Sequence, residues 1–141
     1  AMLICNDAWQ PSLPFIAVQD GAQVLIIPAN SGLYPHPNLL DTREYWRDIT
    51  RFYARMLESY VIFVNRVGEQ EDFVFLGYSH VVDPWGNVVA EGPGREEALI
   101  IADIDLGNVR RRRREVPLVK EARLALLSRE LNRLAEEGGD L

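Results

Sequence analysis

A mixed α/β layer, with helices against one face of a sheet, is the architecture that this sequence predicts, and three observations carry the prediction. Val24, Leu25, Ile26 and Ile27 are consecutive aliphatic residues with no polar alternation, the mark of a strand buried on both faces. Helical stretches lie before and after this strand, giving strand–helix–strand units with crossovers long enough for parallel pairing. Further along, two short apolar runs flank Asp83-Pro84-Trp85-Gly86-Asn87, where proline and glycine set a tight hairpin turn. Strands buried on both faces need cover on both. The two helices packed around this sheet cover one face well, so half of a sandwich is expected to be missing.

The elements follow in order. Residues 2–5 are a short apolar run that ends in polar residues, read as a buried strand. Pro11 and Pro14 mark a loop, residues 13–19 a short helix, and Asp20-Gly21 its end. Residues 24–27 form the next strand, and Pro28 is expected to end it. Residues 31–40 contain Gly32, Pro35 and Pro37 and read as loop. A clear helix follows, with Asp41 as N-cap and Glu44 three residues on, as in a capping box. Tyr45, Ile49, Phe52, Tyr53, Met56 and Leu57 share one face of it and are assigned to core or subunit interface.

Residues 60–64 are the next strand, 68–72 a polar connection, and 73–76 a strand or structured loop. Residues 79–82 and 88–91 form the hairpin, Gly92-Pro93-Gly94 turns the chain again, and 99–104 make another strand. Residues 109–115 form a turn or two of helix, ending near Pro117. A longer helix runs from 120 to 137 with Leu124, Leu127, Leu131 and Leu134 as its seam, closed by Gly138-Gly139.

Composition narrows the function. A chain of 141 residues fits one domain or part of a larger one, and 48% hydrophobic content suffices for a core. No apolar run approaches the roughly 20 residues of a membrane span, and no signal peptide is visible, so a cytoplasmic location and no membrane partner are expected. A net charge of −6 argues against broad nucleic-acid binding. The run Arg110, Arg111, Arg112, Arg113 and Arg114 opposes that trend and reads as a solvated helix face rather than a phosphate site. With one cysteine no internal disulfide can form, which fits a reducing compartment. His36 and His80 have no second ligand at metal spacing.

Cys5 lies where a buried strand gives way to a loop, the place where open α/β sheets present functional groups. A sharp exit there exposes the sulfur and aims the next backbone N–H at the same spot, while the reactive thiolate needs a base or positive neighbour. Asp7 is assigned to accepting loop N–H groups. Asn30 and Ser31 end the next strand on the same edge and either contact substrate or cap the loop. Trp9, Trp46 and Trp85 are packing residues, with Trp9 also suited to line a pocket. Glu58, at a helix end, is assigned to structural support of the site.

The run Ile4-Cys5-Asn6-Asp7 with Pro11, then Gly21-Ala22 and Val24-Leu25-Ile26-Ile27-Pro28, resembles the cysteine segment of the nitrilase, or carbon–nitrogen hydrolase, superfamily. Arg55-Met56-Leu57-Glu58-Ser59, Val64-Asn65-Arg66-Val67-Gly68, Gly77-Tyr78-Ser79 and Asp83-Pro84-Trp85-Gly86 resemble later segments of that family in the same order. The resemblance implies part of an αββα sandwich, with residues 1–141 as the C-terminal part of one domain. It implies a Glu-Lys-Cys catalytic set in which Cys5 attacks an amide, nitrile or carbamoyl carbon and the backbone N–H of Asn6 supports the oxyanion. It implies no metal or organic cofactor. The glutamate and lysine precede the cysteine in that family, and neither is among the four residues before Cys5, so the chain alone is expected to be inactive. Carbamoyl-amino-acid hydrolases of the family grip a carboxylate with arginines where this chain has Ala8 and Trp9. The alternative is a non-catalytic module that self-associates as a homodimer or higher oligomer.

Overall fold

The computed structural model describes residues 1–33 and 42–138. After a short 3-10 helix, Cys5–Trp9, come α1 (Ser12–Gln19), β1 (Val24–Ala29), β2 (Gly32–Leu33) and α2 (Thr42–Met56). Then follow β3 (Tyr60–Asn65), β4 (Val67–Gln70), β5 (Phe73–Leu76), β6 (His80–Val82) and β7 (Val88–Glu91), and finally α3 (Leu106–Glu115) and α4 (Leu124–Glu136). The main sheet has the order β1-β3-β6-β7, with β1 parallel to β3 and the remaining pairs antiparallel. β2, β5 and β4 make a second, antiparallel sheet. The predicted mixed α/β sheet is therefore present.

Alternation along the strands divides the core. Leu25, Ile27, Val61, Phe63 and Val82 point to the face covered by α1 and α2, where they meet Val18, Trp46, Tyr53, Ala54 and Leu57. Val24, Tyr60, Ile62, Val81 and Ala90 point to the other face, which Val109 of α3 and Ala102 partly cover. The buried stripe of α2 is Trp46, Thr50, Tyr53 and Ala54, one helical step round from the face expected. Tyr45, Phe52 and Met56 are exposed instead, because Trp46 stacks on Phe63 at 4.7 Å and so fixes the helix's rotation.

Several strand boundaries differ from expectation, each for a local reason. Residues 2–5 contribute only a parallel bridge, Met2 to Ile26, before the backbone turns at Cys5. Pro28 lies inside β1, opposite Val64. It shares parity with Ile26, whose backbone bonds go to Ala1 and Leu3. At Pro28 that N-terminal stretch has already turned away, so no donor is missed. Residues 68–72 include most of β4, paired with β5. The stretch 99–104 joins no strand ladder among the described residues. Leu99 and Ile101 are 87% and 80% exposed, while Ile100 packs into the space left by Gly92. The proposed N-cap Asp41, His36 and the end of the predicted 31–40 loop lie outside the described residues.

Glu58 closes α2. The Ser59 N–H bonds back to the Ala54 carbonyl, and Glu58 takes the left-handed φ of 51° usual for glycine there. Its side chain is fully buried and accepts the Val119 N–H at 3.4 Å. Gln19 Nε2 donates to the Val119 carbonyl, and Arg113 reaches from α3 to the Ala22 carbonyl and Ser59 Oγ. The arginine run is thus not wholly a solvated face, since Arg113 ties α3 to the sheet. Burial pushes the Glu58 carboxyl up from its ordinary value, against the lowering effects of the Val119 and Leu118 N–H groups and of Arg112 and Arg113.

A raised folded-state pKa means that the native protein holds this proton more tightly than the unfolded chain. The resulting stability is present below the unfolded value of 4.5 and lost as pH rises through the folded value. Glu58→Gln keeps an acceptor for Val119 without a charge. Urea midpoints measured from acid towards neutral pH should show the wild type losing stability relative to Glu58→Gln; parallel curves would count against a buried, titrating Glu58.

Candidate active site

The site begins with the first three residues. The Ala1 ammonium donates to the Val24 carbonyl at 2.8 Å, Ile26 N–H to the Ala1 carbonyl and Leu3 N–H to the Ile26 carbonyl, both at 2.9 Å. Parallel pairing with β1 carries the chain to the C-terminal edge of the sheet, where open α/β sheets place their sites. There Cys5 has φ of 45°, in the left-handed region that a residue with a Cβ avoids. Such a conformation costs about 1–3 kcal/mol and persists only where its neighbours impose it. Here the Ile4 N–H donates to Asp7 Oδ2 at 2.9 Å and the Asp7 N–H to the Ile4 carbonyl at 3.0 Å. The buried Ala8 carbonyl accepts the Tyr53 hydroxyl at 2.6 Å, anchoring the turn to α2. The Asp7 side chain thus holds the Ile4 N–H of the turn. Cys5 sits on a sharp turn between a sheet-paired stretch and a short helix.

The opposite wall comes from the exits of β1 and β3. The Ser31 N–H donates to Asn65 Oδ1 at 2.9 Å, and Asn65 Nδ2 donates to the Ser31 and Gly77 carbonyls at 2.9 and 3.1 Å. One side chain therefore fixes the end of β1 and the approach to β6. Thr42 Oγ1 donates to the Gly32 carbonyl at 3.0 Å, tying α2 to β2. Cys5, Asn6, Trp9, Asn30, Ser31, Gly32, Thr42, Phe73 and Phe75 together line an open cleft of about 370 Å³.

Five of the sequence-predicted site residues, Cys5, Asn6, Trp9, Asn30 and Ser31, meet in this cleft. Glu58 does not. It precedes Tyr60, which pairs with Val24 at the start of β1, whereas the cleft lies beyond Ala29, roughly 17–20 Å along a six-residue strand. Its support goes to the C-terminal segment. The single lysine, Lys120, follows Val119 at that same far edge. His80 is buried against α2 and does not line the cleft. Burial lowers its pKa and favours the neutral ring. Since the Tyr78 carbonyl can only accept, Nδ1 donates to it and Nε2 accepts from the Thr50 hydroxyl, both at 2.8 Å. A Cys-His dyad is therefore not formed with His80. Sequence reasoning missed Asn65, Thr42, Phe73 and Phe75; a polar residue ending a hydrophobic strand is the one signal that could have marked Asn65. Trp46 is core, and Trp85 packs under Arg111 with its Nε1 donating to Glu115.

A family model described as carbon-nitrogen hydrolase matches residues 1–114. The chain is 36% identical over 123 residues to the 2-oxoglutaramate amidase of Bacillus subtilis, covering 86% of this chain and 44% of that protein. It is 30% identical over 118 residues to the N-carbamoylputrescine amidase of Solanum tuberosum, covering 78% of this chain and 39% of that one. The chain thus spans about two-fifths of the length of such curated relatives. The crystal structure of a carbon-nitrogen hydrolase from Helicobacter pylori superposes with a TM-score of 0.83 at 28% identity, over 92% of this chain and 48% of that one.

Asn65→Ala removes three hydrogen bonds and leaves the Ser31 N–H without its acceptor. Chemical denaturation should show a loss of about 2–3 kcal/mol, and Asn65→Asp, which keeps that acceptor but sets a carboxylate oxygen against the Ser31 and Gly77 carbonyls, a loss no smaller. Equal stability of all three proteins would show that Asn65 does not hold the cleft wall.

Proposed function

The chain belongs to the carbon–nitrogen hydrolase family, and on that premise we propose that Cys5 is the nucleophile that hydrolyses a non-peptide carbon–nitrogen bond, in an amide, nitrile or carbamoyl group. The observation that carries this reading is the left-handed Cys5 at the mouth of a cleft, on a turn held by Asp7 and Ala8. For an amide, a general base takes the Cys5 thiol proton, Sγ bonds to the carbonyl carbon and the π electrons move to oxygen. The Asn6 backbone N–H stabilises that oxyanion. The C–N bond then breaks, the amine leaves with a proton from a general acid, and water hydrolyses the thioester. The base and the oxyanion-binding lysine of the family's catalytic set come from residues outside this sequence, in a larger domain of which residues 1–141 form the C-terminal part. A reducing cytoplasm suits the free thiol.

The test compares the chain with the protein translated from its full upstream reading frame. Ammonia release from a panel of small amides should be absent for the chain alone and present for the longer protein, with a loss of about a thousandfold or more in Cys5→Ser. Cys5-dependent turnover by the chain alone would show that the catalytic set is complete here. An active Cys5→Ser protein would remove the thiol mechanism.

A second copy of the chain is the partner proposed for the helical face. Phe15 and Ile16 of α1, Phe52 and Met56 of α2, and Leu127 and Leu131 of α4 line an apolar groove of about 900 Å³. α4 buries no residue, and its leucines at 124, 127, 131 and 134 follow the 3-4-3 spacing of a helix–helix seam. Arg129, Glu130, Arg133 and Glu137 pair with one another along it. Helix and groove on one chain make a self-complementary, two-fold contact. Light scattering should report a dimer that the pair Phe52→Arg, Leu131→Arg converts to monomer; a wild-type monomer at high concentration would exclude this contact.

A further inference from the structure

We propose that Tyr53 is a positioning residue for the Cys5 reaction: its hydroxyl, acting through the Ala8 carbonyl, holds the turn in which Sγ and the Asn6 N–H point at one spot. The inference rests on Cys5 being the attacking group. Tyr53 lines the apolar groove of the helical face and not the cleft, so it reaches the reaction only through the turn. It stands about two helical turns after Trp46, on the same face of α2, and the stack of Trp46 on Phe63 fixes the rotation of that helix.

The restraints on the turn are of different kinds. Leu3 pairs with Ile26 through the backbone, so the sheet fixes where the turn begins. Asp7 bonds Ile4 through its carboxylate and its N–H, which shapes the turn from within but does not orient it against another element. The Tyr53 hydroxyl, donating to the Ala8 carbonyl at 2.6 Å, ties the turn to α2. Trp9 also reaches α2, through ring contacts with Tyr45 and Trp46, but rings slide where a short O–H···O bond does not. Ala8 and Tyr53 are both buried, which shields the bond from water. Burial also pushes the Tyr53 phenol up from its ordinary value, so the hydroxyl keeps its proton and stays a donor.

Between the sheet anchor at Leu3 and the helix anchor at Ala8 the chain reverses, with Cys5 at φ of 45°. Without the second anchor Cys5 relaxes towards the φ that a Cβ favours, and the buried Ala8 carbonyl, left without a donor, drives its peptide to rotate. Sγ and the Asn6 N–H then lose their common target. A displacement of about 1 Å at reacting atoms costs up to about a hundredfold in rate.

The protein translated from the full upstream reading frame provides the kinetic test. Tyr53→Phe keeps the ring and removes only the hydroxyl. Its kcat should fall about tenfold or more with KM within about twofold, because Asn30, Ser31, Thr42 and Phe75 of the cleft stay where they are. Thr50→Val removes a different buried hydroxyl bond from the same face of α2, the one to His80, and should leave kcat unchanged. In the chain itself NMR reads the turn directly. The cross peak between the N–H and Hα of Cys5, intense where φ is positive, should be intense in the wild type and weak in Tyr53→Phe. Wild-type kcat in Tyr53→Phe, an equal loss in Thr50→Val, or an unchanged cross peak overturns the proposal. Urea midpoints identify a variant that fails to fold, and 4-fluorophenylalanine in place of Tyr53, which fills the hydroxyl's position without a proton, then carries both measurements. An active Cys5→Ser protein would sink the hydrolase reading while the cross peak still decides whether Tyr53 sets the turn, so the two failures are distinguishable.

Discussion

Six residues of β1 lie in parallel register on six residues of β3, from Val24 opposite Tyr60 to Ala29 opposite Asn65, and this pairing constrains nearly everything else. Parallel strands cannot be joined by a tight turn, so α2 must cross over between them, and its apolar side must lie on the sheet. Both strands also leave the sheet at the same edge. Asn65 can therefore reach Ser31 at the exit of β1, and the N-terminal stretch, parallel to β1 in turn, delivers Cys5 to that edge. The cleft follows from strand direction before any of its side chains is chosen.

Backbone strain is distributed along the same axis. Cys5 at one edge and Glu58 at the other both occupy the left-handed region without being glycine. Each is held by its surroundings: Cys5 by the Asp7 turn and the Ala8–Tyr53 bond, Glu58 by the α2 terminus and Val119. Their side chains do different work. The first is turned towards a cleft, while the second is turned inward to hold the segment leading to α4. One helix joins the two ends, since α2 carries both Tyr53, the anchor of the Cys5 turn, and the terminus closed by Glu58.

Apolar surface is unevenly covered. The face of the sheet under α1 and α2 is well packed, whereas Leu99, Ile101 and the α4 seam stand in solvent. Exposed aliphatic residues at such density favour association. Salt bridges along α4 occupy its polar side and contribute little to stability at a hydrated surface. Packing against another apolar surface is what would hold that helix in a fixed place.

The strand and helix order around Val24, Leu25, Ile26 and Ile27, the hairpin at Asp83-Pro84-Trp85-Gly86-Asn87, and the family signature around Cys5 can all be read along the chain. Those features are local: unbroken aliphatic runs, turn residues at fixed offsets, and short motifs in order. Tertiary structure alone decided which face of α2 is buried, because Tyr45 and Trp46 are equally suited to a core until Phe63 selects one of them. It decided that Pro28 could remain in a strand, since that depends on where a neighbouring stretch turns away. It separated Glu58 from Asn30 and Ser31, which one sequence cannot do, because distance along the chain does not say which edge of a sheet a residue reaches. It also brought Thr42, Phe73 and Phe75 to the cleft and set Asn65 behind Ser31 in its wall, through contacts between residues far apart in sequence that leave no periodic trace in the chain.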